Sequence, residues 1–468
     1  MDVEDPCRMS AAALVAAVRA RTLTATQVMV RHLRHTEQID PVLNTYATLD
    51  AEGALRSAHE VDRRLDAGED PGPLAGLPVS VKDLIAVGGV RQSFGSRLLR
   101  ENVAAADAPS VQRLRLAGAC VTGKTTTSEL GSKAVGDSPL TGATRNPWDL
   151  RLTPGGSSAG AAAGVAAGLV PVALGTDGGG SIRIPAAFCG LVGFKATFGR
   201  IPVWPPSATP SVAHVAPIGR TLEDVALLLE VISGHDARDP AALAQPPLDA
   251  RAQLGRGIQG LRVAWIGSLG YGSIEDEIAR ICREAAFRLA SQGATVRARA
   301  EPLFQVDPNE AWNEVFYGAI GQRVRQLIGG EDVVAADIDA ALKSVLLSRS
   351  PVSQERVSRL RTECLRSVEQ AFFDADVLAL ATTPVSAPAV GLDVPAGHEG
   401  RNPVDWSYFT YPFNLSGHPA VSMPVGLAFG GVPVGLQLIG RLGDERTLLA
   451  AAAAVARTSP FVSLAPLS

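Results

Sequence analysis

Residues 155–193 read GGSSAGAAAGVAAGLVPVALGTDGGGSIRIPAAFCGLVG. Eleven of these 39 residues are glycine, against about four expected from 47 glycines in 468 residues. Positions 159–168 hold only Ala and Gly apart from Val165, which predicts a small-residue helix able to approach its neighbours closely. Positions 170–175 predict a short strand that runs into Thr176-Asp177-Gly178-Gly179-Gly180-Ser181, the most unusual local sequence in the chain. A helix followed by a strand that ends in a glycine loop is the repeating unit of an α/β protein.

The flanking sequence continues the alternation. Residues 10–39 carry apolar side chains at helical spacing, broken at Arg21-Thr22-Leu23-Thr24, where a threonine can cap a second helix. Residues 52–67 continue helical until Pro71-Gly72-Pro73. Leu77-Pro78-Val79-Ser80-Val81-Lys82-Asp83 alternates as a strand, which places Lys82 near the end of a buried one. Residues 110–117 predict a helix closed by Gly118, and 119–123 a strand. Downstream, helices are predicted at 221–232, 275–292, 310–345, 354–373 and 444–457, with strands at 261–267, 295–298, 377–382, 420–424 and 435–438. Residues 236–260 predict a long polar connection, and no internal repeat is visible. The pattern argues for a mostly parallel or mixed sheet covered on both faces.

Composition narrows the class. With 46% hydrophobic and 19% charged residues and a formal net charge of −4, the chain is neither disordered nor a nucleic-acid-binding polyelectrolyte. Cys7, Cys120, Cys189, Cys282 and Cys364 lack disulfide or zinc spacing and read as buried thiols in a reducing compartment. The acidic opening MDVEDPCRMS reads as that of an unsecreted, cytoplasmic protein. The Ala/Gly stretch 159–175, with Pro171 inside it, is too short and too weakly apolar to span a bilayer. Among 43 basic residues only Lys82, Lys124, Lys133, Lys195 and Lys343 are lysines. Arg cannot lose its proton in a protein whereas a buried Lys can, so each lysine kept in this background is a candidate base.

Three motifs compete. Gly118 to Thr125 matches the phosphate-binding G-x-x-x-x-G-K-T spacing, but a helix precedes it and Thr125-Thr126-Thr127 starts a helix poorly. Gly156-Ser157-Ser158-Ala159-Gly160 matches G-x-S-x-G around Ser158, but Pro154 disfavours the strand a nucleophile elbow needs. None of His214, His235, His398 and His418 has a clear catalytic context. The third reading joins Lys82, the Gly155-Gly156-Ser157-Ser158 loop and the Asp177–Ser181 loop. A desolvated lysine can activate a serine without histidine, and consecutive glycines can turn several N–H groups toward one oxyanion. Both loops could equally be plain tight turns.

The stretch 146–202 resembles the signature region of the amidase signature family. The resemblance extends to GLPVSVKDLI (76–85), AGACVTGKTTTSEL (117–130), APIGRTLEDVALLLEVISG (216–234), FTYPFNLSGHPAVSMPVG (409–426) and GVPVGLQLIGRLGDERTLL (431–449), and is weakest over 240–375. It implies an α/β/α sandwich built on a large mixed twisted β-sheet in a single domain over 1–468. Within it lie N-terminal helices (1–70), a signature core (76–234), a variable helical region (240–375) and a C-terminal part of the sheet (376–468). It further implies Lys82 as base, Ser157 as bridging serine after a cis peptide bond, and Ser181 as nucleophile. Backbone amides of Gly178, Gly179, Gly180 and Ser181 are the implied oxyanion hole, with Ser158, Asp177 and Arg183 holding the loops. Gly178 stands where the family often has Thr, Ile or Val, and Ala159 where it has Gly or Ser.

The implied activity is hydrolysis of a small or aryl amide to acid and ammonia or amine. No metal, nucleotide or other cofactor is implied, nor a nucleic-acid or membrane partner, and a homodimer is. The family also holds the glutaminase subunit of tRNA-dependent amidotransferases, whose substrate-holding Asp falls on Ser407 here. A silent scaffold of the same fold is a further alternative. Trp312, Phe316, Trp406, Tyr408, Phe409, Tyr411 and Trp204 are candidates for an aryl pocket or for ordinary core.

Overall fold

The computed structural model describes residues 5–330, 332–459, 461 and 464–467. The first four residues, part of the acidic opening read as unsecreted, lie outside them.

Eleven strands form one sheet. They are β1 Tyr46–Leu49, β2 Pro78–Lys82, β3 Cys120–Thr125, β6 Val172–Asp177, β7 Val192–Lys195, β8 His214–Gly219, β9 Arg262–Trp265, β10 Thr295–Ala298, β11 Val377–Ala381, β12 Ala420–Ala428 and β13 Val432–Gly440. Strands β4 Asp137–Ser138 and β5 Gly142–Ala143 make a separate hairpin. The order in the large sheet is β1-β3-β2-β6-β8-β7-β12-β13-β11-β9-β10. Strands β3, β2 and β6 run parallel, as do β11, β9 and β10, and the strands between them pair antiparallel. The sheet is therefore mixed.

Alternation along β11 shows why helices cover both faces. Val377, Ala379 and Ala381 enter one core with the helices Asp276–Arg288 and Glu445–Thr458, while Leu378 and Leu380 enter another with the helix Gln354–Ala371. A strand buried on both sides reads as a continuous apolar run, as VLALA does.

Several elements depart from the pattern reading. The stretch 310–345 is broken into the helix Asn309–Asn313, a π-turn Glu314–Gly318, the helix Ala319–Leu327, a 3-10 turn Val333–Ala335 and the helix Ala340–Ser348. Gly329 and Gly330 follow the middle helix at positive φ and end it. Strands β1, β7 and β8 and the helix Arg183–Cys189 carry little period-2 or period-3.6 signal. Pro217 lies inside β8, where the ladder to β7 reaches only Gly219 and Ile218. That unpaired flank tolerates a residue without an N–H.

The small-residue helix forms over Ala159–Ala166 and is buried throughout. A Cβ on Gly160 would lie 2.1 Å from the Thr45 carbonyl oxygen and 2.6 Å from Thr126 N. The same atom on Gly164 would meet nothing closer than 3.8 Å. Gly160→Ala is therefore expected to lower the unfolding free energy by about 1–3 kcal/mol through overpacking. Gly164→Ala is expected to be neutral, or to gain up to about 1 kcal/mol from helix propensity. Urea denaturation of the two variants measures the contrast, and equal effects would contradict close backbone packing as the reason for Gly160.

Candidate active site

Adjacent parallel strands bring the first residues together. The register Val79↔Val172, Ser80↔Ala173, Val81↔Leu174 aligns the C-terminal ends of β2 and β6, so Lys82 sits beside the end of β6. Lys82 is fully buried. Its Nζ lies 2.7 Å from Ser157 Oγ, 2.9 Å from Ser158 Oγ and 2.8 Å from Thr176 Oγ1. Burial pushes its pKa well below the ordinary lysine value of 10.5, and the charge of Asp177 opposes that shift only in part.

The other lysines take different forms. Lys124, in the stretch that matched a phosphate loop, lies in β3 and pairs with Asp83 at 3.4 Å, its pKa brought to about 8 by burial. That stretch is a strand with no helix at its lysine. Lys133 meets Asp137, Asp339 and Asp393 at 2.6–2.9 Å; against the effect of burial these carboxylates hold it charged. Lys195 is buried and donates to the His418 carbonyl. Lys343 donates to the Val334 carbonyl near the surface. Among the described residues, Lys82 is the one lysine whose side-chain nitrogen meets serine hydroxyls.

Ser158 occupies the position of the elbow serine but is turned inward. Its hydroxyl donates to the Thr176 carbonyl (3.2 Å) and receives Lys82, in space left by Gly175, where a Cβ would lie 2.7 Å from it. The Gly156–Ser157 peptide bond is cis. Ser157 and Ser181 both line a cavity of about 680 Å³. Among the described residues no hydrogen bond joins the two hydroxyls; catalytic contacts are often long until substrate binds.

The loop 177–181 is clamped by groups from elsewhere in the chain. Asp177 is buried, and its two oxygens receive Arg183 Nε and Nη2 at 2.9 Å each, with Asn414 Nδ2 also at 2.9 Å. Burial works against its ionisation, but Arg183 holds it well below the usual carboxylate range. Arg183 also donates to the Thr410 carbonyl, Gln437 Oε1 and Asn414 Oδ1. Trp312 Nε1 donates to the Gly178 carbonyl (3.2 Å) and Thr410 Oγ1 to the Gly179 carbonyl (2.6 Å). With those carbonyls drawn into the protein, the amides of Gly178, Gly179 and Ser181 are left without acceptors among the described residues. The Gly180 amide is already donated to Asp177 Oδ1 at 2.8 Å. Gly180 has φ +126°, and a Cβ there would lie 2.3 Å from Thr410 Oγ1. Neither conformation nor space admits another residue.

The aromatic candidates divide. Phe316 and Trp204 line the cavity. Trp312, Trp406, Tyr408, Phe409 and Tyr411 are buried and are not among its lining residues. Trp312 stacks on Phe316 (4.5 Å) and on Tyr411 (5.1 Å), which braces the glycine loop from behind. A Cβ on Gly178 would lie 3.2 Å from the Phe316 ring, so aromatic packing fills the side where a larger residue would project. Thr176, Thr410, Asn414 and Gln437 escaped sequence reasoning. Thr176 adjoins the glycine loop, where a hydroxyl at a strand end was a usable signal; the other three come from the segment 410–414 and from β13, distant in sequence. Ser407 is buried and donates to the Val404 carbonyl at 2.6 Å. His214 is held through Nδ1 by the carbonyls of Asp177 and Val212, with burial pushing its pKa down to about 3.

Among the described residues no group of three or more His, Cys, Asp or Glu is placed to hold a metal ion, and no helix is long and apolar enough to cross a membrane.

The amidase family model matches residues 27–449. An acylamidase of Rhodococcus erythropolis is 33% identical over 474 residues, covering 98% of this chain and 97% of its own. A glutamyl-tRNA(Gln) amidotransferase subunit of Carboxydothermus hydrogenoformans is 34% identical over 486 residues, covering 98% and 99%. The crystal structure of a bacterial aryl acylamidase of the amidase signature enzymes superposes with a TM-score of 0.90 at 32% identity, covering 97% of this chain and 96% of that one. Matched in sequence and in fold over nearly its whole length, the chain belongs to the amidase signature family.

Proposed function

We propose that the protein is an amidase that cleaves a carboxylic acid amide through Ser181, with Ser157 and Lys82 as its proton relay. The observation that carries this reading is a fully buried lysine bonded to three hydroxyls, two of which (Ser157 and Thr176) belong to residues lining the cavity, and to no carboxylate. Desolvation favours the neutral form, and the hydrogen bonds accommodate it. Ser158 spends its own proton on the Thr176 carbonyl, so it accepts from Lys82. A neutral amine has two N–H bonds, directed to Ser158 and Thr176, and one lone pair left to accept from Ser157.

In the proposed sequence, Ser181 Oγ attacks the amide carbonyl carbon as its proton passes to Ser157 and the Ser157 proton passes to Lys82. The developing oxyanion faces the amides of Gly178, Gly179 and Ser181, while the Gly180 amide fixes Asp177 and thereby the loop. The C–N bond then breaks as the relay returns a proton to the leaving nitrogen. Water, deprotonated along the same path, cleaves the acyl-Ser181 ester and releases the acid. Phe316 and Trp204 on the cavity wall favour an aryl or other apolar substituent.

The similarity to an amidotransferase component keeps a glutaminase reading in view. Ser407 offers no carboxylate to an α-amino group, and Glu314, whose carboxylate is bonded to Arg349 and the Val352 amide, is the one acidic residue lining the cavity among those described. These observations support a stand-alone amidase acting without partner subunits.

A fluorophosphonate is expected to label wild-type protein stoichiometrically at Ser181, with no labelling of Ser181→Ala and little of Lys82→Ala. Peptide mapping that finds the label on Ser158 would sink the assignment. On amides that release ammonia or an arylamine, Ser181→Ala is expected to lose at least about 10^4-fold in kcat. Release from glutamine outpacing that from aryl amides would favour the glutaminase. Because the base acts when unprotonated, kcat/KM is expected to rise with pH and reach its plateau well below 10.5, where burial has moved Lys82. A rate that falls as pH increases through neutrality would contradict a lysine base.

A further inference from the structure

One wall of the cavity is a helical stripe. Val315, Phe316, Ala319, Gln322, Arg323 and Gln326 all line it, spaced at the three- and four-residue intervals of one helix face. Phe316 begins the stripe against Gly178, next to the serine loop. Arg323 follows seven residues later, past the π-turn and within the helix Ala319–Leu327. Arg323 is half-buried and makes no ion pair or side-chain hydrogen bond among the described residues. The exposed side chains of Gln322 and Gln326, which flank Arg323 on the same helix and also line the cavity, are likewise without partners among the described residues.

Among the described residues, Arg323 is one of two charged residues on these walls. The other charged lining residue, Glu314, is neutralised by Arg349 and receives the Val352 amide at 3.1 Å. Arg323 thus presents a planar guanidinium fork to the cavity with no acid of the described residues to satisfy it, amid amide groups that can donate beside it. Carboxylates match that fork bidentately, and Gln side chains supply neutral donors to the remaining lone pairs.

We propose that Arg323 and its flanking glutamines form a subsite for a carboxylate, and that the substrate is an amide whose end remote from the scissile bond carries one. The inference rests on the amidase reading for the place of Ser181, and goes beyond it in naming the substrate class. Apolar atoms of such a substrate lie along Val315, Phe316 and Ala319, between the reacting carbonyl and the charged end.

The test is binding to Ser181→Ala, which retains the cavity and does not turn substrate over. Calorimetric titrations compare carboxylate-ended amides of increasing chain length with their methyl esters. Two series are needed, anilides of dicarboxylic acids and N-benzoyl ω-amino acids, which place the carboxylate on the acyl or the amine side. In at least one series the acid is expected to bind about ten-fold or more tighter than its ester, with the preference shrinking at high salt. Arg323→Gln in the same background is expected to bring the acid-to-ester ratio to about one, and Arg323→Lys to leave it between the two. Equal affinity of acid and ester in both series, or a preference that survives Arg323→Gln, overturns the subsite. Turnover of neutral aryl amides by wild type is followed in parallel; its absence counts against the amidase reading, while the binding ratios decide the subsite.

Discussion

The pair Asp177–Arg183 is the constraint on which the rest of the site depends. Both side chains are fully buried, and each is satisfied several times over: Asp177 by Arg183, Asn414 and the Gly180 amide, Arg183 by Asp177, Thr410, Asn414 and Gln437. A buried ion pair is a poor source of net stability, but removing one partner costs about 3–5 kcal/mol because a charge is stranded. The arrangement is therefore stiff. Through Arg183 it ties the end of β6 to Thr410 and Gln437, 227 and 254 positions beyond that arginine, and so fixes which way the glycine amides face.

Against that fixed frame, lysine chemistry separates by environment. Four of the five lysines are buried to within 2% of full exclusion from solvent. Lys133 is surrounded by three carboxylates and stays charged; Lys124 has one at 3.4 Å. Lys82 has none within hydrogen-bonding reach, and desolvation is opposed only by the more distant Asp177. The same clamp that orients the loop keeps Asp177 committed to Arg183, which leaves the Lys82 nitrogen to its three hydroxyls. Structure of the loop and basicity of the lysine are set by one network.

This explains what could be read in advance. Lys82, the two serine loops and the strand before the second stand out because scarcity of lysine and density of glycine are local signals. The small-residue helix was legible for the same reason. Strands β1, β7 and β8 were not, being four to six residues long with a glycine or proline in two of them, so that no period develops. Thr410, Asn414 and Gln437 carry no mark of their task; only the packing of the segment 410–414 and of β13, reached after most of the chain, brings them to the Asp177–Arg183 pair. The helical period over 310–345 was real in part, but a π-turn does not alter composition, and it hides inside an apolar pattern.

That π-turn is where chemistry and selectivity meet. The lysine and both serines come from residues 82–181, whereas one cavity wall comes from 315–326, in the region where resemblance to the family is weakest. A residue larger than glycine at 178 would press on Phe316, and a side chain at 179 would enter the Trp312 ring at 2.6 Å. The glycine loop and the aromatic turn are thus matched in volume, and the loop keeps its aim although Gly178 lacks a side chain of its own. Phe316 both backs the glycine loop and opens the stripe that runs to Arg323, so one ring touches the loop and the wall alike. On the proposed reading, the wall that would select the substrate and the loop that would hold the oxyanion share that ring.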